Sequence, residues 1–202
     1  MEMKNKGDCP VEIVHNRAKL QLLSINDVRP LYAIIEKYPD IWTYLIAKMD
    51  CMEDMERLVE ESIEKYKKRI DLPFTVIDQT TNEIVGTTRL YNVSIDCKTA
   101  ELGHTWYSPI VQRTSVNTEC KYMMLRYAFE ELGMLRVQIK TDARNEKSQR
   151  AIERLGAVKE GVTRNERQLP NGYVRDAVVY SIISADWPSI KEQLENKLMC
   201  YR

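Results

Sequence analysis

The stretch from residue 100 to residue 148 holds the side chains best suited to chemistry. Glu101 lies in an alternating segment, TAELGHTWY, which predicts a strand, and a carboxylate in a cleft can act as a base when its pKa is raised. Ser148 lies near the start of a predicted helix, where its hydroxyl could hydrogen-bond a departing group. These two are our candidate catalytic residues. An ion-paired glutamate and a helix-start serine are the structural alternatives.

Alternation along this predicted strand also assigns its faces. Glu101, Gly103 and Thr105 are expected on one face, opposite Leu102, His104 and Trp106. His104 has an ordinary pKa suited to proton transfer, but we favour a packed, hydrogen-bonded ring at this position.

The connection after this strand is a candidate anion site. Ser108 and Pro109 stop the strand, and residues 112–117 lead into a helix that opens at Thr118. A strand, loop and helix in this order direct free backbone N–H groups and the positive end of the helix dipole at one point. Arg113 could add a full charge there. An ordinary connecting loop capped by Thr118 explains the same residues.

Several neighbouring residues allow two interpretations. Cys120 could be reactive because a helix N-terminus lowers a thiol pKa, although a packed residue is the simpler interpretation. Glu119 would oppose both a thiolate and a nearby phosphate. Arg164, Arg167 and Arg175 could bind a carboxylate, or they could be solvated strand residues.

Composition limits the class of protein. The 202 residues include 30 Lys plus Arg and 30 Asp plus Glu, and this zero net charge argues against a general nucleic-acid binder. Apolar runs are too short for a membrane span, and the first ten residues lack the apolar core of a secretory signal. Five cysteines without a C-x-x-C pair indicate reduced thiols in a cytoplasmic protein. With two histidines and no H-E-x-x-H, no metal site is expected.

Periodicity and turn residues predict one mixed α/β domain. The order is strand, two helices, three strands, helix, strand, helix, two strands, helix, with an antiparallel meander in the middle. The most regular segments are strands at 99–107 and 174–183 and helices at 52–69 and 118–132.

Four ordered segments resemble the GNAT acetyltransferases, in particular the branch of Rim-type enzymes that acetylate protein N-termini. They read AELGH at 100–104, QRTSVN at 112–117, YAFE at 127–130, and NEKS followed by ERLGA within 145–157. The resemblance covers residues 18–184. The family loop reads Q/R-x-x-G-x-G/A, and Ser115 and Asn117 stand where it has glycines. Asn117 is the milder change because asparagine tolerates a left-handed backbone, whereas Ser115 narrows the space for a phosphate.

The resemblance implies a GNAT fold, a central and mostly antiparallel sheet flanked by helices. We assign residues 1–17 to an arm or edge strand, 18–184 to the acetyltransferase domain, and 185–202 to a C-terminal helix packed on that domain. The implied activity is transfer of the acetyl group of acetyl-CoA to a primary amine, either a peptide N-terminus or a small amino compound. The amine would attack the thioester directly while both substrates are bound. Acetyl-CoA is then a cosubstrate, and no metal is implied.

The resemblance also assigns roles to residues. Glu101 would be the base, and Ser148 would assist the leaving thiolate. The residues expected to bind the cofactor are Trp106, Ser108, Gln112, Arg113, Thr114, Ser115, Val116, Asn117, Thr118, Asn145 and Ser148. Asn145 is also predicted to cap the helix that follows it. Trp42 and Tyr44 are expected to line the acceptor pocket, with core packing as the alternative.

Two other functions stay open. The replaced loop glycines favour a non-catalytic acyl-CoA-binding regulatory module, whose partners would be protein surfaces. The other is a scaffold that has lost the cofactor. No nucleic-acid or membrane partner is expected, and the chain is expected to be a monomer or a homodimer.

Overall fold

A computed structural model describes residues 12–201. Its strands are β1 (Glu12–Val14), β2 (Ala18–Leu22), β3 (Leu72–Asp78), β4 (Glu83–Ser94), β5 (Thr99–Tyr107), β6 (Arg136–Asp142), β7 (Val158–Gln168) and β8 (Val174–Ile183). Its α-helices are α1 (Val28–Lys37), α2 (Met52–Lys67), α3 (Val116–Arg126), α4 (Glu146–Glu153) and α5 (Trp187–Met199). The predicted mixed α/β class is confirmed, and β5 and β8 have the predicted bounds. Of the predicted N-terminal arm, residues 1–11 lie outside the described part, and β1 is an edge strand.

The strands form one sheet in the order β1-β2-β3-β4-β5-β6-β8-β7. Every neighbouring pair is antiparallel except β5 and β6, which run parallel. These two strands pair only from Thr99 to Glu101, opposite Arg136 to Gln138. Beyond that point β5 stays paired with β4 and β6 stays paired with β8. The sheet therefore opens into a wedge between the carboxyl-terminal halves of β5 and β6.

Helices cover both faces of the sheet, and each face has its own apolar core. On the α1–α2 side, Leu31 and Met55 pack around Trp106 of β5. On the other face, called here the α3–α5 side, Met124 of α3 and Leu194 of α5 pack with alternate residues of the sheet, among them Leu102, Ile139, Val178 and Tyr180. Alternation then places the residues between them, such as Glu101, Lys140 and Arg175, on the α1–α2 side.

A β-bulge in β5 alters the predicted faces. Arg89 pairs with Gly103 and Thr87 pairs with Trp106, so that two residues of β5 oppose Thr88 of β4. The first of them, His104, has φ 46°. The extra residue reverses the alternation beyond Gly103. The expectation that Thr105 shares the face of Glu101 is therefore wrong, since Thr105 Oγ1 lies 2.7 Å from Lys121 Nζ of α3.

The C-terminal helix packs against α3. Helix α3 begins two residues before its predicted start and passes into a π-helical turn, Tyr127–Glu131. The ring of Trp187 stacks on Phe129 of that turn at 5.4 Å, and its Nε1 donates to Glu130 at 3.0 Å. These contacts agree with the predicted packing of α5, while the assigned domain bounds stay a prediction. No helix within residues 12–201 is both long and apolar enough to cross a membrane.

Candidate active site

The wedge between β5 and β6 opens into a cleft of about 620 Å³. Its walls come from the second half of β5, from 139–142 of β6, from the loop and first turns of α3, and from α4. The loop after α1 contributes Tyr44, and α5 contributes Leu194 and Lys197. The cleft thus connects the α1–α2 side of the sheet with the α3–α5 side.

Most of the predicted site residues meet at this cleft. It is lined by Tyr44, Gln112, Arg113, Thr114, Asn117, Thr118, Asn145 and Ser148. Outside the lining are Trp42, Glu101, Trp106, Ser108, Ser115 and Val116. Trp42 and Trp106 contact each other edge to face at 5.7 Å in the core under α1 and α2, which matches the packing alternative for Trp42.

The loop before α3 places its strained residue at an unexpected position. Arg113 has φ 63°, in the left-handed region, whereas Ser115 is buried with φ −67° and Asn117 lies in the first turn of α3. Thr114 Oγ1 donates to the carbonyl of Val111 at 2.7 Å and accepts from the N–H of Val116 at 3.3 Å. Ser115 is absent from the cleft lining, so its side chain does not narrow the cleft. Asn117 has a helical backbone, so the left-handed conformation expected there does not occur.

The first turn of α4 brings polar groups to the opposite wall. Asn145 Oδ1 accepts from the N–H of Ser148 at 3.0 Å, which confirms the predicted N-cap. Ser148 is half-buried and its side chain is held at the cleft by this capped turn. A hydroxyl here can hydrogen-bond a ligand in the wedge.

Glu101 is ionised and well connected on the α1–α2 side. Its Oε1 accepts from Asn92 Nδ2 at 2.8 Å, and its Oε2 lies 3.1 Å from Lys140 Nζ. Burial alone would raise the pKa of Glu101, but the hydrogen bond from Asn92 and the Lys140 ammonium outweigh it and hold the pKa below its ordinary value. Glu101 thus accepts a proton at neutral pH, with less driving force than a glutamate whose pKa is raised.

Tyr91 connects Glu101 with the cleft, and sequence reasoning missed it. It is the cross-strand partner of Glu101 and lines the cleft. Burial, and then the Glu101 charge, raise the pKa of Tyr91, so its hydroxyl is protonated at neutral pH. Its ring contacts His104 edge to face at 5.0 Å. Burial, with the Arg89 charge, lowers the pKa of His104 to about 3, so this histidine is neutral at pH 7.

Charged side chains on the α1–α2 side are held in pairs. Arg175 is buried, lines the cleft and donates from Nε to Glu166 Oε2 at 3.0 Å. The Arg167 hydrogen bond, with further help from Arg175, lowers the pKa of Glu166 to about 2 against the effect of burial. Arg175 is thus not a solvated strand residue, whereas Arg164 and Arg167 are both exposed, and Arg167 pairs with Glu166.

The rim of this side is an arginine between two aromatic rings. Arg144 pairs with Asp142 through two hydrogen bonds of 2.9 and 2.8 Å. Its guanidinium lies 3.6 Å from the ring centre of Tyr173 and 5.6 Å from that of Tyr44. This stack ties the loop after α1 to the turn between β7 and β8, so Tyr44 is held at the cleft.

The structure decides between the two interpretations of Cys120 and between those of Glu119, both in α3. Cys120 is fully buried, and burial raises its pKa to about 12, which excludes a reactive thiolate. Glu119 accepts from the N–H groups of Arg17 and Ala18 at 2.8 Å each. Its carboxylate thus binds the backbone at the start of β2 and lies outside the cleft lining. Burial lowers the pKa of Lys121, which lines the cleft, to about 8.

The described residues hold no cluster of three or more histidine, cysteine or acidic side chains that could bind a metal ion.

Comparison with known proteins agrees with this geometry. The family described as Acetyltransferase (GNAT) domain matches residues 17–158. The Bacillus subtilis (strain 168) protein named "Putative ribosomal N-acetyltransferase YdaF" is 32% identical over 108 residues, which are 54% of this chain and 58% of that protein. A T. thermophilus protein solved as "Crystal structure of putative acetyltransferase" shares 31% identity with a TM-score of 0.84, over 94% of this chain and 97% of its own.

A third likeness concerns the fold. The microcin C7 self-immunity acetyltransferase MccE, crystallised with acetyl-CoA and AMP, is 22% identical with a TM-score of 0.76, over 86% of this chain and 97% of its own.

The fold and the site define an acyltransferase, and the chain belongs to the GNAT acetyltransferase family. It is accordingly an N-acetyltransferase that depends on acetyl-CoA as its cosubstrate. The resemblance seen in the sequence is confirmed, and the name of YdaF agrees with the Rim-type branch.

Proposed function

We propose that this enzyme joins acetyl-CoA and a primary amine in one complex and transfers the acetyl group directly between them. The observation that carries the proposal is a cleft that crosses the sheet, with a helix N-terminus on one side and an ionised carboxylate behind a tyrosine on the other. The amine nitrogen bonds to the thioester carbonyl carbon, the carbon–sulfur bond breaks, and the electron pair leaves on sulfur. The amine loses a proton, and the thiolate of CoA gains one.

Proton removal uses the pair of Tyr91 and Glu101. Because Glu101 lies outside the cleft lining, the proton reaches it through Tyr91, which receives a proton on its oxygen while it passes its own to the carboxylate. A low pKa makes Glu101 a modest base, which suits an acceptor that loses its proton readily, such as a peptide N-terminus.

Ser148 assists the leaving sulfur. Its side chain lines the cleft from the first turn of α4, where Asn145 Oδ1 accepts from the backbone N–H of Ser148 and so fixes the backbone that carries the hydroxyl. A hydroxyl is a weak acid, so its role is to donate a hydrogen bond to the thiolate rather than to ionise. The phosphates of the cofactor lie at the N-terminus of α3, beside Arg113.

The acceptor approaches from the α1–α2 side, past Tyr44 and the Arg144 stack. We propose a protein N-terminus as its class, since YdaF is named as a ribosomal N-acetyltransferase, with a small amine as the second choice.

The scattered free thiols support a cytoplasmic location. We propose a monomer or homodimer that binds neither nucleic acid nor membrane.

The regulatory-module alternative loses its main support. It rested on Ser115 and Asn117, yet Ser115 is buried outside the cleft lining and Asn117 lines the cleft from the first turn of α3.

Initial rates of CoA release, measured over a grid of acetyl-CoA and peptide concentrations, test the proposal. A panel of short peptides with different N-terminal residues and a set of small amines serve as acceptors, and N-terminally blocked peptides are the control. We expect release only with free amines and intersecting double-reciprocal lines. Tight binding of acetyl-CoA without release for any amine would support the module, and parallel lines would contradict direct transfer.

A further inference from the structure

Helix α5 brings a cation into the cleft that the proposed chemistry does not use. Leu194 and Lys197 lie three residues apart on α5, and both line the cleft on the α3–α5 side. Lys197 is half-buried and lies in the last helical turn, where the helix dipole favours a positive charge. Arg154, just after α4, lines the same cleft.

Packing holds α5 between α3 and α4. A Cβ on Gly156, at the end of α4, would come within 2.9 Å of Ile190 Cγ1, so the backbone there lies directly against α5. On the other flank, Tyr122 of α3 donates its hydroxyl to Glu195 at 2.7 Å. Lys197 is therefore carried on a fixed helix rather than on a loose C-terminal segment.

The cations on this side of the cleft lack carboxylate partners. None of Arg113, Lys147, Arg154 and Lys197 forms an ion pair with a carboxylate of residues 12–201, and Lys147 donates only to the neutral amide of Gln112, at 2.7 Å. Two nearby acids accept hydrogen bonds from tyrosines rather than from these cations, Glu153 from Tyr180 at 3.0 Å and Glu195 from Tyr122. This side thus offers these four cations, in addition to Lys121, for pairing with an anionic ligand.

An exposed aromatic ring lies at the end of the chain on the α3–α5 side of the cleft. Tyr201, two residues beyond α5, lines the cleft and is 48% exposed. Cations next to an accessible aromatic ring match a phosphorylated nucleoside, whose phosphate pairs with the charges while its base stacks on the ring.

We propose that Lys197 and Arg154 bind the ribose 3′-phosphate of CoA and that Tyr201 stacks on its adenine. This inference rests on the proposed function, since it assumes that the α3 N-terminus and Arg113 hold the pyrophosphate. The 3′-phosphate is a separate dianion on the same nucleoside, and α5 supplies a second group of cations for it. Helix α5 is in this account part of the cofactor site.

Calorimetric titration of acetyl-CoA and of acetyl-3′-dephospho-CoA tests the assignment. We expect wild type to bind acetyl-CoA about tenfold more tightly than the dephospho compound. Lys197→Gln and Arg154→Gln should each reduce this preference, and the double variant should bind both compounds equally. Lys191→Gln is the matched control, because it removes a charge from the same helix at a residue paired with Glu130, outside the cleft.

Equal affinity of wild type for the two compounds would overturn the inference while leaving acetyl-CoA binding intact. A preference that persists in Lys197→Gln and Arg154→Gln would overturn it as well. Binding of neither compound by wild type would remove the proposed function along with the subsite.

Discussion

The two sides of the cleft differ in whether their cations are paired with carboxylates of the protein. On the α1–α2 side, Lys140 pairs with Glu101 and Arg175 pairs with Glu166, so each cation is neutralised within the protein. On the α3–α5 side, Arg113 and Lys197 have no carboxylate partner in residues 12–201. Paired groups have fixed positions before any ligand arrives, which suits proton transfer. Cations without a carboxylate partner can form ion pairs with a bound anion, which suits the phosphates of a cofactor.

Removal of Arg175 has the largest expected effect on folding. Arg175→Leu leaves the Glu166 carboxylate largely buried with only Arg167 as partner, and we expect a loss of about 3 kcal/mol in the free energy of unfolding. Lys147→Ala, on the α3–α5 side, should change stability by less than about 0.5 kcal/mol. Urea denaturation measures both. Equal losses would contradict the distinction between the sides.

Neutralising Glu101 should affect turnover nearly as strongly. Glu101→Gln keeps the hydrogen bond from Asn92 but removes the proton acceptor, so we expect kcat to fall about a hundredfold. The Kd for acetyl-CoA should be unchanged. Wild-type kcat in this variant would show that the proton leaves by another route.

The ion pair of Glu101 with Lys140 predicts a pH effect. Because the folded-state pKa of Glu101 lies below its ordinary value, the basic form is present at neutral pH and is lost only as the pH falls through that lowered pKa. Lys140→Met removes one cause of the lowering and should move the acid limb of kcat/KM to higher pH. The ratio of variant to wild-type kcat/KM cancels the titration of the acceptor. Superimposable profiles would exclude Glu101 as the group that titrates.

The smallest effect is expected at Ser115. Ser115→Gly restores the glycine of the family loop, yet the buried side chain lies outside the cleft lining, so we expect the Kd for acetyl-CoA to change by less than about twofold. A thermal melt with and without acetyl-CoA measures this. A ligand-induced shift that appears only in Ser115→Gly would mean that the natural loop does not bind the cofactor.

Local patterns were enough to predict much of the fold and one wall of the site. Strand β5 follows from alternation, and the N-cap of α4 follows from Asn145 before a helical segment. The bulge at His104 was not visible, because it depends on the register with β4 rather than on the residues of β5. The expected faces of His104, Thr105 and Trp106 were wrong for this reason.

The site residues that the sequence did not predict are brought together by contacts between elements far apart in the sequence. Tyr91 reaches Glu101 only because β4 and β5 pair, and Lys197 reaches the cleft only because α5 packs between α3 and α4. Arg175 was noticed as a possible ligand for a carboxylate, but its partner, Glu166, comes from the neighbouring strand. No local spacing encodes these contacts. The only signals in the sequence were single residues, a tyrosine in the predicted strand before β5 and a lysine near the end of the C-terminal helix.

Titration calorimetry combined with turnover, on one variant from each side, is the most direct test of the division of labour. Glu101→Gln and Lys197→Gln each change one charge at the edge of the same cleft. We predict that Glu101→Gln lowers kcat and leaves the Kd for acetyl-CoA unchanged, whereas Lys197→Gln raises that Kd and leaves kcat at saturating acetyl-CoA unchanged. A loss of kcat in both variants with the same change in Kd would contradict the account.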